Sequence, residues 1–405
     1  MNTTNILSAE LNEILKNYFD SSALNKLYDN VRDKMAPSFD MELSESDRKQ
    51  ISAKIPTGSE QRVLLDLILT SAKKQLSEVQ YFNLLLKFSE IMIYYGELGF
   101  AREMSEEVLD STKFDEEHCK LTAEAYLISA KIDWSQSYWK ESIQNTDMAY
   151  EIFNELGDKE GCAKSENMFG TIFGEQGKIK QASLHFEKGL SLINESKNSE
   201  LQAMFEVNLG ILYTMIGEND KALSNLLNGL EKFEQLQDMR RVARINHNIG
   251  MLYIRTGKLD EALISFDICI NVSLEYGYLS NYAIAYLSKA WIKNHLGETA
   301  LADAFTQKAM EIAYKINDKL SIAEVYRLKG LINQSLNELD LSEEFFESCV
   351  RLNKDFENKF NEAEVNQHLV NIYKNQNITQ KARPLEKKSE DYFNEARSAI
   401  TAYIS

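Results

Sequence analysis

Proline is nearly absent. Three occur in 405 residues, Pro37, Pro56 and Pro384, so almost nothing in the chain interrupts a helix. Glycine is sparse, at 17, and each one is expected to have a positional reason. The four cysteines are Cys119, Cys162, Cys269 and Cys349. None forms a C-x-x-C pair, and their wide separation fits free, buried thiols in a reducing compartment. No run of about 18 apolar residues exists, so no membrane-spanning helix is expected. The opening MNTTNILSAELNEILKNYFD has no basic segment followed by an apolar one. A signal peptide is therefore not expected, and the expected location is the cytoplasm.

Motifs that carry chemistry are missing too. The histidines are His118, His185, His247, His295 and His368, and no H-E-x-x-H or H-x₃-H pair occurs among them. His118 and Cys119 are neighbours in sequence and would point in different directions on a helix. There is no G-x-x-x-x-G-K-[ST], no G-x-G-x-x-G after a strand and no G-x-S-x-G. The expectation is a protein that is not an enzyme and needs no metal or cofactor. The charge is 45 basic against 62 acidic residues, a net of −17. Repulsion from phosphate makes such a chain a poor general binder of nucleic acid. The acidic excess reads as a solubilising helix surface. Hydrophobic residues make up 44%, which suits a folded chain rather than a disordered one.

What the sequence does have is a register of about 40 residues. One column reads Ser89, Ala130, Gly170, Gly210, Gly250, Ala290, Gly330, Val370. Twelve residues after the third member the second column passes through Ala182, and it reads Ala101, Ser142, Ala182, Ala222, Ala262, Ala302, Ser342, Ala382. A third reads Val108, Ala149, Gly189, Gly229, Cys269, Ala309, Cys349, Ser389. Between the first two runs a turn column: Gly96, Ser137, Gly177, Gly217, Gly257, Gly297, Asn337, Asn377. Small residues let two antiparallel helices approach closely. The turn column asks for a left-handed backbone at a helix C-terminus, which Gly gives freely and Asn tolerates. Bulky residues at helical spacing flank the columns, such as Leu209, Leu212 and Tyr213, so both helices of each repeat are amphipathic. Cys269 and Cys349 fall in a small-residue column and read as packing residues.

The run Gly250, Tyr253, Gly257, Ala262, Phe266, Cys269 resembles the tetratricopeptide repeat. The period departs from that family's usual 34 residues, and the proline that commonly ends its repeat is missing. The long form is similar to the repeats of kinesin light chains, cortical-polarity adaptors and bacterial peptide-pheromone receptors of the Rap and PlcR type. The resemblance implies an all-α fold: a right-handed superhelix of about eight helix-turn-helix repeats over residues 80–398. Residues 1–79 form an N-terminal helical region and 399–405 a C-terminal tail. Residues 1–79 lie outside the register, with helical patterns at about 5–19, 22–35, 43–54 and 60–77. Residues 1–80 hold 10 basic and 12 acidic residues, poor for a DNA-reading element. A cap over the first repeat and an effector module for a separate protein both remain open. The last repeat, ending in KKSEDYFNEAR, reads as a solvated cap.

The resemblance also places ligands on the inner face, which the first helix of each repeat lines. Transferred by register, the peptide-binding positions are Asn167, Met204, Asn208, Ile211, Arg244, His247, Asn248, Met251, Arg255, Trp291, Asn294 and Arg327. In long-repeat relatives, asparagines at the positions of Asn208 and Asn248 bond an extended peptide's main chain. Apolar anchors and arginines able to grip a carboxylate share this surface. The implied role is a non-catalytic scaffold that binds a peptide or protein in the concave groove. A receptor for a signalling peptide and a purely structural solenoid are the alternatives, and the oligomeric state stays open.

Overall fold

The computed structural model describes residues 9–35 and 59–404, less 95–96, 114, 137, 194–197, 317 and 356–358. The helical pattern expected at 43–54, and the turn residues Gly96 and Ser137, lie outside the described residues. Three helices come first: α1 (Ala9–Lys16), α2 (Ser21–Met35) and α3 (Ser59–Gln75). Helix pairs follow: α4 (Glu78–Tyr94) with α5 (Leu98–Thr112), then α6 (Cys119–Ser135) and α7 (Trp139–Glu155), then α8 (Lys159–Glu175) with α9 (Ile179–Leu192). Next are α10 (Ser199–Ile216) with α11 (Asn219–Gln235), and α12 (Met239–Arg255) with α13 (Leu259–Tyr276). The last are α14 (Leu279–His295) with α15 (Thr299–Lys315), α16 (Lys319–Ser335) with α17 (Leu339–Asp355), and α18 (Lys359–Asn375) with α19 (Thr379–Ile404). The expected tail, 399–405, is thus helical through Ile404. No strand occurs among the described residues. No described helix is long and apolar enough to cross a membrane. The fold is an all-α solenoid of helix pairs.

The turn column has the backbone that its residues suggest. Gly177, Gly217, Gly257 and Gly297 have φ of +72°, +84°, +75° and +80°, and Asn337 and Asn377 have +62° and +60°. The first column works as a socket. A Cβ built on Gly250 would stand 2.5 Å from the Phe266 ring, one on Gly170 2.3 Å from Phe186, and one on Gly330 2.5 Å from Phe346. Where the first column holds Ala290 instead, the residue 16 positions on is Thr306. A larger socket residue goes with a smaller plug. Every member of the second column, Ala101 through Ala382, is buried. Cys269 and Cys349 are buried too. Burial pushes the Cys269 thiol up to about 11 and the Cys349 thiol up to about 12, so both stay protonated and pack as small apolar groups.

A further column becomes visible at the start of the first helices. Asp158, Asn198, Asp238 and Asp318 each accept a hydrogen bond from the backbone N–H three residues on, at 2.9, 3.0, 3.0 and 3.1 Å. These are N-caps at the same period of 40, and Tyr278 takes the position in the one pair that breaks the series.

The chain divides into two compact units, Met1–Ile132 and Asp133–Ser405. In the first, α4 is apolar nearly all round, with Leu84, Leu85 and Phe88 fully buried. Helices α1 and α3 pack against it, supplying Leu11, Leu15, Leu65 and Ile68 to the interior. Helix α3 is tied to α5 by Arg62–Glu103 and by Lys73–Glu107 at 2.6 Å. In the second unit each helix pair packs on the next, with cores such as Phe266, Cys269, Tyr282 and Ile292 shared between consecutive pairs.

The socket relation is testable by exchanging one plug for another. Gly250→Ala alone should destabilise by about 1–3 kcal/mol through overpacking, and Phe266→Thr alone by about 3 kcal/mol through the cavity it leaves. The double variant reproduces the Ala290/Thr306 combination. Denaturant unfolding should find it more stable than the sum of the singles by about 1 kcal/mol or more. Strict additivity would show that the two positions do not act as plug and socket.

Candidate functional site on the inner face

The first helices of consecutive pairs touch one another: α8 with α10, α10 with α12, α12 with α14, and α14 with α16. Contact between consecutive second helices is weaker. Helices crowd on the inside of a curve, so the first helices line the inner face of residues 133–405. Hydrogen bonds between residues 41 apart sew these helices together. Asn208 Nδ2 donates to Asn167 Oδ1 at 2.9 Å. His247 Nε2 and Ser288 Oγ are 3.0 Å apart. Arg241 Nη1 donates to Glu200 Oε1 at 2.7 Å, and Asn281 Nδ2 to the Arg240 carbonyl at 3.2 Å.

This ladder divides the twelve positions taken from the register. Asn208 donates to Asn167, and Asn167 is buried. His247 is held by Ser288. Met204 is part of the core between α9, α10 and α12, with its sulfur 3.6 Å from Arg241 Nη2. Arg327 is already occupied: its Nε donates to Glu324 Oε2 at 2.8 Å and its Nη2 reaches the other carboxylate oxygen. Trp291 is half-buried in two adjoining cores and stacks flat on His295, centroids 5.3 Å apart with 3° between planes.

The remaining positions stay available. Ile211 and Met251 are 37% and 39% exposed, and Met215, on the same helix as Ile211, is 39% exposed. Arg244 and Arg255 are exposed and have no ion-pair partner among the described residues. The Asn248 Nδ2 and Asn294 Oδ1 atoms are buried without a hydrogen-bond partner. The twelve positions include all of these residues except Met215, but not which amide atoms are orphaned, because whether an amide finds a partner depends on the neighbouring helix.

The electrostatics follow from the curve. Glu175, at the end of α8, is exposed at its surface, yet the surrounding inner face displaces bulk water. That raises its pKa, against the lowering effect of Arg244. Burial, then the Arg244 charge, depress His247 to about 3. Burial raises Glu364, opposed by Arg327, and burial and Arg327 both lower His368. The histidines serve in packing and pairing. His185 contacts Glu166 at 2.6 Å, His118 contacts Asp115 at 2.6 Å, and His368 stacks on Phe346 at 5.1 Å. Among the described residues, no group of three or more His, Cys, Asp or Glu converges as a metal site would.

His247 is neutral in the fold and free to protonate once unfolded, so acid favours unfolding. Its stabilising contribution is complete above the ordinary value of 6.5 and is lost progressively as pH falls toward about 3. His247→Gln should therefore lose less stability than the parent chain between pH 7.5 and pH 5, by on the order of 1–2 kcal/mol in denaturant unfolding. Equal losses would place the acid sensitivity elsewhere.

No curated protein matches the chain by sequence. The tetratricopeptide-repeat family model matches residues 243–276 and 323–356. These two stretches are α12–α13 and α16–α17 without the first residues of each. Among solved structures, the chain is similar to a Rap protein complexed with competence and sporulation factor. The TM-score is 0.61 at 15% identity, covering 96% of this chain and 99% of that one. It is also similar to the Rap conjugation gene regulator of the plasmid pLS20 in complex with the Phr* peptide. There the TM-score is 0.59 at 15% identity, with 82% and 94% covered. A third is aspartyl phosphate phosphatase F from Bacillus subtilis, with TM-score 0.53, 13% identity, and 96% and 94% covered. At such identities the likeness is one of fold. Two of its helix pairs thus match the tetratricopeptide-repeat model, and the chain has the helix-pair fold that the Rap structures share.

Proposed function

We propose that the chain is a non-catalytic scaffold that takes an extended peptide on the inner face of residues 133–405. The observation that carries this reading is the set of unmet contacts on that face. Asn248 Nδ2 and Asn294 Oδ1 lack partners, and a peptide main chain offers a carbonyl to the first and an N–H to the second. Ile211, Met215 and Met251 present apolar surface beside them in the register. Arg244 and Arg255 can each grip a carboxylate through two parallel N–H donors. Extended-peptide recognition combines these elements: main-chain hydrogen bonds, apolar pockets and charge capture. The absence of nucleophile, base and phosphate-loop motifs from the sequence supports a binding role over a catalytic one.

A more specific reading is a cytoplasmic receptor for a signalling peptide, with α1–α3 as part of an effector module. Two of the similar solved structures are complexes with a factor or peptide, which favours it. In either reading the partner is a peptide or protein segment rather than nucleic acid, given the net charge of −17.

Selection of random peptides by display against the full chain tests the assignment. Selected peptides should lose at least about tenfold in affinity, or roughly 1.4 kcal/mol, on Arg244→Glu and on Met251→Glu. Leu184→Ala, on the exposed side of α9, should leave binding unchanged. Trp291→Ala should weaken binding as well, with circular dichroism confirming that the fold survives. Undiminished capture by the Arg244 and Met251 variants would remove the ligand from this face.

A further inference from the structure

Helix α19 differs from the other second helices. It has 26 residues where α17 has 17, and it contains Pro384. Its first half is fixed to the last repeat. Ala382 sits in a core with Val365, Leu369 and Ile372. Lys388 pairs with Glu362 at 2.6 Å, Ser389 Oγ donates to the Ala363 carbonyl at 3.0 Å, and Lys381 pairs with Glu343 at 2.9 Å. The remainder of the helix continues beyond the repeat register.

The start of this second half meets an earlier helix. Helix α19 packs against α9, five pairs earlier in the chain. The Tyr392 hydroxyl lies at the α8–α9 turn, 3.8 Å from where a Cβ on Gly177 would stand. Tyr392 and its neighbour Phe393 are half-buried. The KKSEDYFNEAR segment, which its charges mark as a solvated cap, thus carries an aromatic contact to the beginning of the same unit. Within residues 133–405 the last pair thus meets the α8–α9 pair, and a helix pinned at one end bridges the two.

The position of that contact matters. Gly177 is two residues past Glu175, a carboxylate at the end of α8 close enough to feel the Arg244 charge. A contact at the α8–α9 turn therefore bears on the edge of the inner face itself. The curvature of a solenoid is the sum of small rotations between pairs, so tying the last pair to the α8–α9 pair fixes that sum for the pairs between them.

We propose that the C-terminal half of α19 is a clasp that holds the α8–α9 turn and sets how far the inner face of residues 133–405 opens. Its role in regulating a ligand rests on the reading of that face as the binding face. Its mechanical role does not.

Two spin-label pairs in the full chain, with Cys119→Ser, test the clasp without any ligand. Leu184→Cys with Glu390→Cys reports the contact between α9 and α19, and both positions are exposed. Ile211→Cys with Asn371→Cys reports the span between α10 and α18 across the inner face. In the parent chain both pairs should give one narrow distance distribution by pulsed electron paramagnetic resonance. Tyr392→Ala should shift both to longer distance and broaden them. Tyr392→Leu, which keeps bulk, should shift them less and serves if the alanine variant folds poorly. Unchanged distributions in both pairs would overturn the clasp. A shift confined to the first pair would show that α19 can release without opening the face, and would overturn its control of the groove. Neither result depends on whether the display-selected peptides bind at Arg244.

Discussion

The close approach of the two helices within each pair is the constraint on which the rest depends. Phe266 enters the space that Gly250 leaves, and Phe186 and Phe346 do the same at Gly170 and Gly330. Interiors are packed tightly enough that one methyl group in such a socket must displace something. The sockets fix the spacing within a pair, and the buried small residues of the second helices keep the pair close along its length. Pairs of fixed geometry then stack with a constant rotation, and a constant rotation makes a curve with an inside. The inner face follows from where glycine and phenylalanine stand.

That face must serve two demands at once. Consecutive first helices need to hold together, and side chains at 41-residue spacing do this: Asn208 with Asn167, His247 with Ser288, Arg241 with Glu200. Atoms used for this purpose are withdrawn from any ligand, whereas His247 Nδ1 stays unmatched. The positions outside the ladder are the ones proposed for recognition: Arg244 and Arg255, the exposed apolar side chains, and the unmatched amides of Asn248 and Asn294. Inside the curve, protein replaces much of the bulk water. A carboxylate such as Glu175 is then harder to ionise and a histidine such as His247 harder to protonate. Charges brought there by a partner would be felt more strongly than on the outer surface.

Much of the fold was legible in the sequence because repetition averages out the ambiguity of any single segment. The turn column was readable from Gly and Asn alone, since few other residues tolerate a positive φ. The N-cap column of Asp158, Asn198, Asp238 and Asp318 is equally present at the same period, but it is hard to distinguish because short polar residues are common in the flanking loops. The plug for each socket, 16 positions on, was also in the sequence; Ala290 with Thr306 is its clearest trace. The candidate site was only half legible. Register placed its residues on the first helices, but it could not separate Asn208, which bonds Asn167, from Asn248, whose amide nitrogen is unmatched. It could not foresee that Glu324 occupies Arg327. The return of α19 to α9 leaves no local trace, because it depends on the accumulated rotation of five pairs.

The central claim is that a ligand lies along the first helices of residues 133–405. Hydrogen–deuterium exchange on the full chain, with and without a display-selected peptide, tests it most directly. Added protection concentrated in α10, α12 and α14 is the predicted result. Protection concentrated in the second helices α11, α13 and α15, or confined to residues 1–132, would contradict it.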